Sequence, residues 1–311
     1  MRKLRRLAPA ALALILALLS SSCGAFLRSR TILRHGKPVS ASQILLTATK
    51  EELNERIAKV YGAIDSFQAT VDMTPSSGSV YKGQITEIKD VKGFVLFSKP
   101  SKIRIIGLAP VVRTKAFDMV SDGVDFRFHL TQKNLYVHGS NSAPAVSQNK
   151  IENLRPDAFL ASMLVRPADP ATEVPMLVDA TDEDNASYIL YFLRKGPNGE
   201  ILPTPSRSFI FDRADLSIDR QMVYDDTGAI VSDTRYSKWQ SYSGVMFPGR
   251  IDINRWKDGY GVVMDITKIQ LNEALKEEQF QLPQPEGTQL QIIGTPILGT
   301  PKRDQQKQDQ K

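Results

Sequence analysis

The dominant pattern in the chain is an alternation of apolar and polar side chains with a period of two, which begins after Ser66 and continues to Leu271. Val124, Phe126, Phe128 and Leu130 alternate with Asp125, Arg127 and His129. Leu216, Ile218 and Met222 alternate with Ser217, Asp219 and Gln221, and Ile251 and Ile253 with Asp252 and Asn254. A period of two puts successive side chains on opposite faces of a strand, so each run predicts a strand with one wet face. Between the runs stand Asp122-Gly123, Asn198-Gly199, Asp226-Thr227-Gly228, Ser243-Gly244 and Asp258-Gly259, residues that accept positive φ at hairpin tips. Such short connections make sequential strands antiparallel neighbours. Counting runs predicts about eleven strands, thirteen at most, and a sheet of that size curls or splits rather than staying flat.

Two segments change the period to that of a helix. Leu46, Leu53, Ile57, Val60 and Ile64 share one stripe, with Lys50, Glu51, Glu52, Glu55 and Lys59 opposite. Pro156 to Leu164 forms a shorter apolar helix with proline in its first turn. A last short helix is expected from Asn272 to Glu278. The predicted fold class is therefore mainly β with helices (α+β): a strongly curved antiparallel sheet forming an unclosed β-barrel of about eleven strands with a helical lid. No repeat or linker divides the body, which is read as one domain over residues 45–290.

Several strands carry more apolar residues than a one-sided sheet needs. Phe94-Val95-Leu96-Phe97, Ile103-Arg104-Ile105-Ile106, Tyr188 to Leu193 and Phe209-Ile210-Phe211 imply shielding on both faces. The inside of the curl is either a greasy cavity that takes an acyl chain or a space filled by the protein's own side chains, and the sequence leaves both open. The candidate cavity residues are Phe94, Leu96, Phe126 and Phe128, beneath a helix carrying Leu53, Ile57 and Val60.

The N-terminus has its own chemistry. Met1-Arg2-Lys3-Leu4-Arg5-Arg6, an apolar run from Leu7 to Leu19, and Ser20-Ser21-Ser22-Cys23 make a secretory signal peptide, too short to span a bilayer comfortably. Cys23, the only cysteine, stands where cleavage falls. The segment resembles the lipobox of a bacterial lipoprotein, in which the cysteine is diacylated and becomes the new N-terminus. Ser20 departs from that pattern, which has leucine there. The expected organisation is a signal peptide over 1–22, a lipidated tether over 23–44 and a polar, disordered tail over 291–311. Gly24 after the cysteine suggests delivery to the periplasmic face of the outer membrane.

Removing Arg2, Lys3, Arg5 and Arg6 with the signal peptide lowers the formal charge of the 311-residue chain from +6 to +2. What excess remains lies largely in the tail, so there is no basic footprint for nucleic acid. The three histidines, His35, His129 and His138, have no metal-ligand spacing, and no nucleophile elbow, phosphate loop or dinucleotide fingerprint occurs. The acidic run Asp179, Asp182, Glu183 and Asp184 lacks the glycine and closing glutamate of a calcium loop. The expectation is a monomeric binding protein without cofactor or metal, not an enzyme.

One longer-range pattern points to a family. Val91-Lys92-Gly93-Phe94-Val95-Leu96-Phe97-Ser98-Lys99-Pro100-Ser101-Lys102-Ile103-Arg104-Ile105 precedes Met119-Val120-Ser121-Asp122-Gly123-Val124-Asp125-Phe126. Later come Tyr236-Ser237-Lys238-Trp239 and Gly244-Val245-Met246-Phe247-Pro248. Together with the amphipathic helix ahead of them, these resemble the LolA/LolB superfamily of periplasmic lipoprotein carriers and outer-membrane acceptors over about residues 45–285. The resemblance implies an unclosed barrel with a helical lid that binds lipid chains. Its partners would be membrane lipid, acylated lipoproteins and a periplasmic carrier. It also implies a lid latch at Lys99, where the soluble carrier has arginine, and a membrane-contacting loop at Leu108 and Val111.

Overall fold

Strand register fixes which side chains meet, and in this sheet it gathers nearly every large apolar residue on one face. The computed structural model describes residues 33–34, 37–38, 44–79, 84–87, 91–143, 153–182 and 185–294. Cys23, most of the tether and the end of the tail lie outside the described residues. The main unit begins with helix α1 (Lys50–Gly62), followed by β1 (Ser66–Ser79), β2 (Gln84–Glu87), β3 (Val91–Ser98), β4 (Lys102–Leu108), β5 (Lys115–Ser121), β6 (Asp125–Leu130) and β7 (Leu135–Ser140). Helix α2 (Pro156–Met163) then leads to β8 (Glu173–Asp179), β9 (Ser187–Lys195), β10 (Ile201–Asp212), β11 (Ile218–Tyr224), β12 (Ile230–Tyr242), β13 (Val245–Arg255), β14 (Tyr260–Leu271) and β15 (Gln289–Ile293). A separate small unit contains the ladder pairing Leu33–Arg34 with Lys37–Pro38 and a turn closed by Asp182 and Asn185.

The fifteen strands form one sheet in the order β8-β9-β10-β11-β12-β13-β14-β1-β3-β4-β5-β6-β7-β15, with β2 paired to β1. All neighbours are antiparallel, including β14 and β1, which meet without a hairpin between them, except β7 and β15, which pair in parallel from Leu135↔Gln289 to Gly139↔Ile293. The path is open, with β8 at one edge and β15 at the other. The expected α+β class and unclosed curved sheet hold, but the expected strand count of about eleven is too low. Two strands escaped the sequence reading. Pro175 interrupts the pattern of β8, and β15 finds its partner some 150 residues away rather than across a turn. The body set to end at 290 thus continues through β15.

One row of cross-strand neighbours shows how the inner face is built. Phe67 of β1 faces Phe97 of β3, which faces Ile103 of β4, and Val95 and Ile105 follow one step along. Further round, Met119 faces Phe128, which faces Val137. Phe67, Phe97, Phe126, Phe128, Phe192, Phe209, Phe211 and Phe247 are all fully buried. Their rings meet edge to face or tilted, as Phe67–Phe97 at 5.2 Å, Phe192–Phe209 at 5.3 Å and Phe67–Phe247 at 5.8 Å. Glycine makes room where rings are thickest. A β-carbon at Gly107 would fall inside the Phe117 ring, so only a bare backbone lets that ring lie across β4.

The first two predicted helices form. α1 starts at a capping box in which Glu52 N–H donates to Thr49 Oγ1 and Thr49 N–H donates to Glu52 Oε2. Leu46, placed on its stripe by sequence, precedes the helix and is exposed, whereas Ile64 beyond its end is buried. The predicted helix from Asn272 to Glu278 does not form. Asn272 takes φ 60°, and its side chain accepts from Asp65 N–H and donates to the Ala63 carbonyl, so only a 3-10 turn at Glu277–Phe280 follows.

Because Phe67 touches both Phe97 and Phe247 at no exposure, Phe67→Ala is expected to destabilise the protein by about 3–5 kcal/mol. Urea unfolding followed by circular dichroism measures it. A loss under about 1 kcal/mol would mean that this face is not the core.

Candidate functional site

The concave face and the two helices on it make the candidate site, and the helices are attached in different ways. α2 is fixed from beneath by buried polar contacts. Ser162 Oγ lies 3.0 Å from Thr234 Oγ1, and the Tyr236 hydroxyl lies 2.7 Å from both the Ser162 carbonyl and Gln221 Oε1. Burial pushes the Tyr236 hydroxyl well above its ordinary pKa, so it stays a donor. Phe159, Leu160 and Met163 of α2 are buried in the main core, with Phe159 stacked on Tyr260 at 6.3 Å.

α1 lays Leu53 and Ile57 into the same core, with Val60 partly buried beside them. Its polar attachments lie at its rims. Ala168 N–H donates to Asn54 Oδ1, and Arg56 Nη2 donates to the Asp215 carbonyl. At its C-terminal end Lys99 Nζ donates to the Tyr61 carbonyl at 2.9 Å, stands 3.2 Å from Asp65 Oδ1 and sits 4.6 Å above the Tyr61 ring. An ammonium on the last carbonyls of a helix meets the negative end of its dipole. The Asp65 partner is largely exposed, so the ion pair adds little.

Of the expected cavity set, Leu53, Ile57, Phe126 and Phe128 are buried in one core with Val60 packed against it, but α1 packs on β8 and it is α2 that packs on β4, β5 and β13; Phe94 and Leu96 lie outside that core. Phe94 is 37% exposed, and Leu96 pairs with Gln68 and Arg104 on the outer face. In the unbroken run Phe94 to Phe97 the inward residues are Val95 and Phe97. With apolar residues at every position there, no alternation discloses the parity.

The loop after β4 also differs from expectation. Leu108 is half-buried at the strand end, opposite Lys115. The exposed tip is Val111 and Val112, at 90% and 67% exposure, and Val111 takes φ 65°. A β-branched residue at positive φ is strained backbone, held here by the Ala109 N–H to Thr114 carbonyl bond and the Arg113 N–H to Ala109 carbonyl bond.

The outer face carries a strap unseen by sequence reasoning. Arg104 grips Asp118 through Nε at 2.9 Å and Nη2 at 2.7 Å, and its Nη1 donates to the Gln279 carbonyl. Lys115 adds a third bond to Asp118, Lys102 holds Glu277, and the Tyr136 hydroxyl donates to the Leu282 carbonyl. Burial alone would raise the Asp118 carboxyl. The hydrogen bonds and charges of Arg104 and Lys115 outweigh it and hold the carboxyl below its usual range.

These features define a class: a large unclosed antiparallel sheet whose apolar concave face is covered by two helices. No protein-family model and no curated protein matches the chain. Solved structures do. A DUF1329 family protein from Desulfovibrio piger superposes with a TM-score of 0.50 at 14% identity, covering 75% of this chain and 95% of that one. A LolA superfamily protein from Nitrosomonas europaea gives 0.48 at 15% identity over 76% and 99% of the two chains. A candidate outer membrane lipoprotein-sorting protein domain from Vibrio parahaemolyticus gives 0.49 at 11% over 75% and 97%. The likeness to the first of these shows the fold.

Because the folded Asp118 carboxyl titrates below its ordinary value of 3.8, its stabilisation is present above that value and lost as pH falls through the folded one. Asp118→Asn is expected to cost about 3–5 kcal/mol at pH 7, where it strands Arg104, and less near pH 3. Urea midpoints at the two pH values test this, and a pH-independent difference would contradict it.

Proposed function

We propose that this chain is a lipid-anchored envelope protein that takes up acyl chains between α1 and the aromatic concave face. On this reading it is tethered through Cys23 at the periplasmic side of the outer membrane, accepts acylated lipoproteins or lipids from a periplasmic carrier, and catalyses no reaction. The observation that carries the proposal is the contrast between the helices. α2 is locked by buried hydrogen bonds, whereas α1 has its own caps, one apolar stripe and polar attachments along its rims. A helix held in that way can lift as a unit and uncover the part of the core beneath Leu53 and Ile57. The lipobox-like N-terminus and the motif resemblance support the same reading.

A second reading is favoured by how fully the concave face is occupied: Phe126 and Phe128 are each 1% exposed beneath the protein's own side chains. On that reading the protein is a structural or assembly lipoprotein whose outer surface binds a protein partner.

Lys99→Met removes the ammonium that holds the end of α1. It is expected to raise the affinity for an environment-sensitive fatty-acid probe several-fold while costing less than about 1 kcal/mol of stability. Equal affinities would show that Lys99 does not hold the helix down, and absence of binding by either protein would favour the filled-core reading.

The Val111–Val112 tip is assigned to the membrane surface. Burying one such side chain in lipid contributes roughly 1.5–3 kcal/mol, enough to orient a tethered protein but too little to anchor it. Val111→Glu is expected to leave fold and lipidation intact and to slow transfer of bound lipid to liposomes. Equal transfer rates would make the tip an ordinary loop.

A further inference from the structure

A second site lies on the outer face, independent of the acyl-chain reading. Asp125 and Arg127 stand two residues apart on β6 and share its outer face, with α-carbons about 6.8 Å apart along the strand. Neither neutralises the other. Asp125 Oδ1 is buried with no hydrogen-bond partner, and Oδ2 lies 4.0 Å from Nε2 of His138, beyond hydrogen-bond reach. His138 Nε2 is likewise buried and without a partner. Arg127 is half-buried, and its guanidinium makes no hydrogen bond or ion pair among the described residues. The other charged groups here are engaged: Lys102 binds Glu277, and Asp122 accepts from the N–H groups of Val124 and Asp125.

Asp122, Asp125, Arg127, Lys102 and Glu277 line a cavity of about 140 Å³ between β4–β6 and the Glu277–Phe280 turn, with Val120 and Phe280 as apolar walls and His138 behind Asp125 rather than in the lining. Burial, and then the charge of Arg127, lower the His138 pKa, with Asp125 and Asp122 only partly opposing them, so at neutral pH the imidazole does not cancel the Asp125 carboxylate. An unpaired carboxylate and an unpaired guanidinium in one small cleft ask for opposite charges a few ångströms apart. A lone cation or a lone anion would satisfy one and leave the other unpaired at a desolvation cost. Metal chemistry does not fit, since no group of three metal-ligating side chains occurs among the described residues.

We propose that this cleft binds a small zwitterion, its ammonium on Asp125, its anionic group on Arg127, and its short carbon link against Val120 and Phe280. Free α-amino acids and the ethanolamine phosphate of a lipid headgroup share that chemistry. The full-length chain in detergent is titrated calorimetrically with L-serine and with O-phosphoethanolamine, with ethylamine and acetate as single-charge controls. At least one zwitterion is expected to bind tenfold or more tightly than either control. Arg127→Gln and Asp125→Asn are each expected to weaken it at least tenfold with thermal unfolding unchanged. Binding of serine assigns the site to free amino acids, and binding of phosphoethanolamine alone assigns it to the headgroup. No heat from either zwitterion, controls that bind as tightly, or variants that bind like the wild type would each overturn the proposal.

Discussion

An antiparallel sheet with one strongly apolar face has to remove that face from water, and here the face spans most of fifteen strands. Stacking a second sheet on it would need further strands, and none is found among the described residues of this unit. Curling the sheet and laying two helices inside does the same with short connections, and strand twist favours the curl. The aromatic rows, the glycine beneath Phe117 and the apolar stripes of both helices are consequences of that one requirement. The functional reading depends on it too, because a face that attracts two helices also attracts an acyl chain.

What separates a packed core from a binding surface is how its cover is fastened. The buried hydrogen bonds of Ser162, Thr234 and Tyr236 would be costly to break without water to replace them, and they make α2 part of the wall. The bonds of α1 lie at its rims, where solvent can take over each partner as it leaves. The apolar contacts of Leu53 and Ile57 are then the main resistance to lifting, and on the proposed reading an entering chain would replace those contacts in kind.

The sequence was most informative where alternation was clean. In Val124 to Leu130 the alternation disclosed that Phe126, Phe128 and Leu130 face inward, although Val124 lies before the strand and is exposed. It was silent where both parities were apolar, as at Phe94 to Phe97, and there the wrong pair was chosen. Elements defined by distant partners were invisible: β15 exists because β7 offers it an edge, and Asn272 leaves the helical region because Ala63 and Asp65 claim its side chain. The motif resemblance directed attention to Lys99, where lysine replaces arginine. Its ammonium reaches the Tyr61 carbonyl without needing a planar fork.

The central claim is that α1 moves away from the aromatic face to admit an acyl chain. With Cys23 the only native cysteine, spin labels can be placed at Glu55→Cys on the exposed side of α1 and at Lys268→Cys on the exposed side of β14. Pulsed electron spin resonance then reads the distance between them. The account predicts a single narrow distance in the free protein and a longer component that grows as fatty acid is added. A distribution that stays unchanged at saturating fatty acid would contradict it.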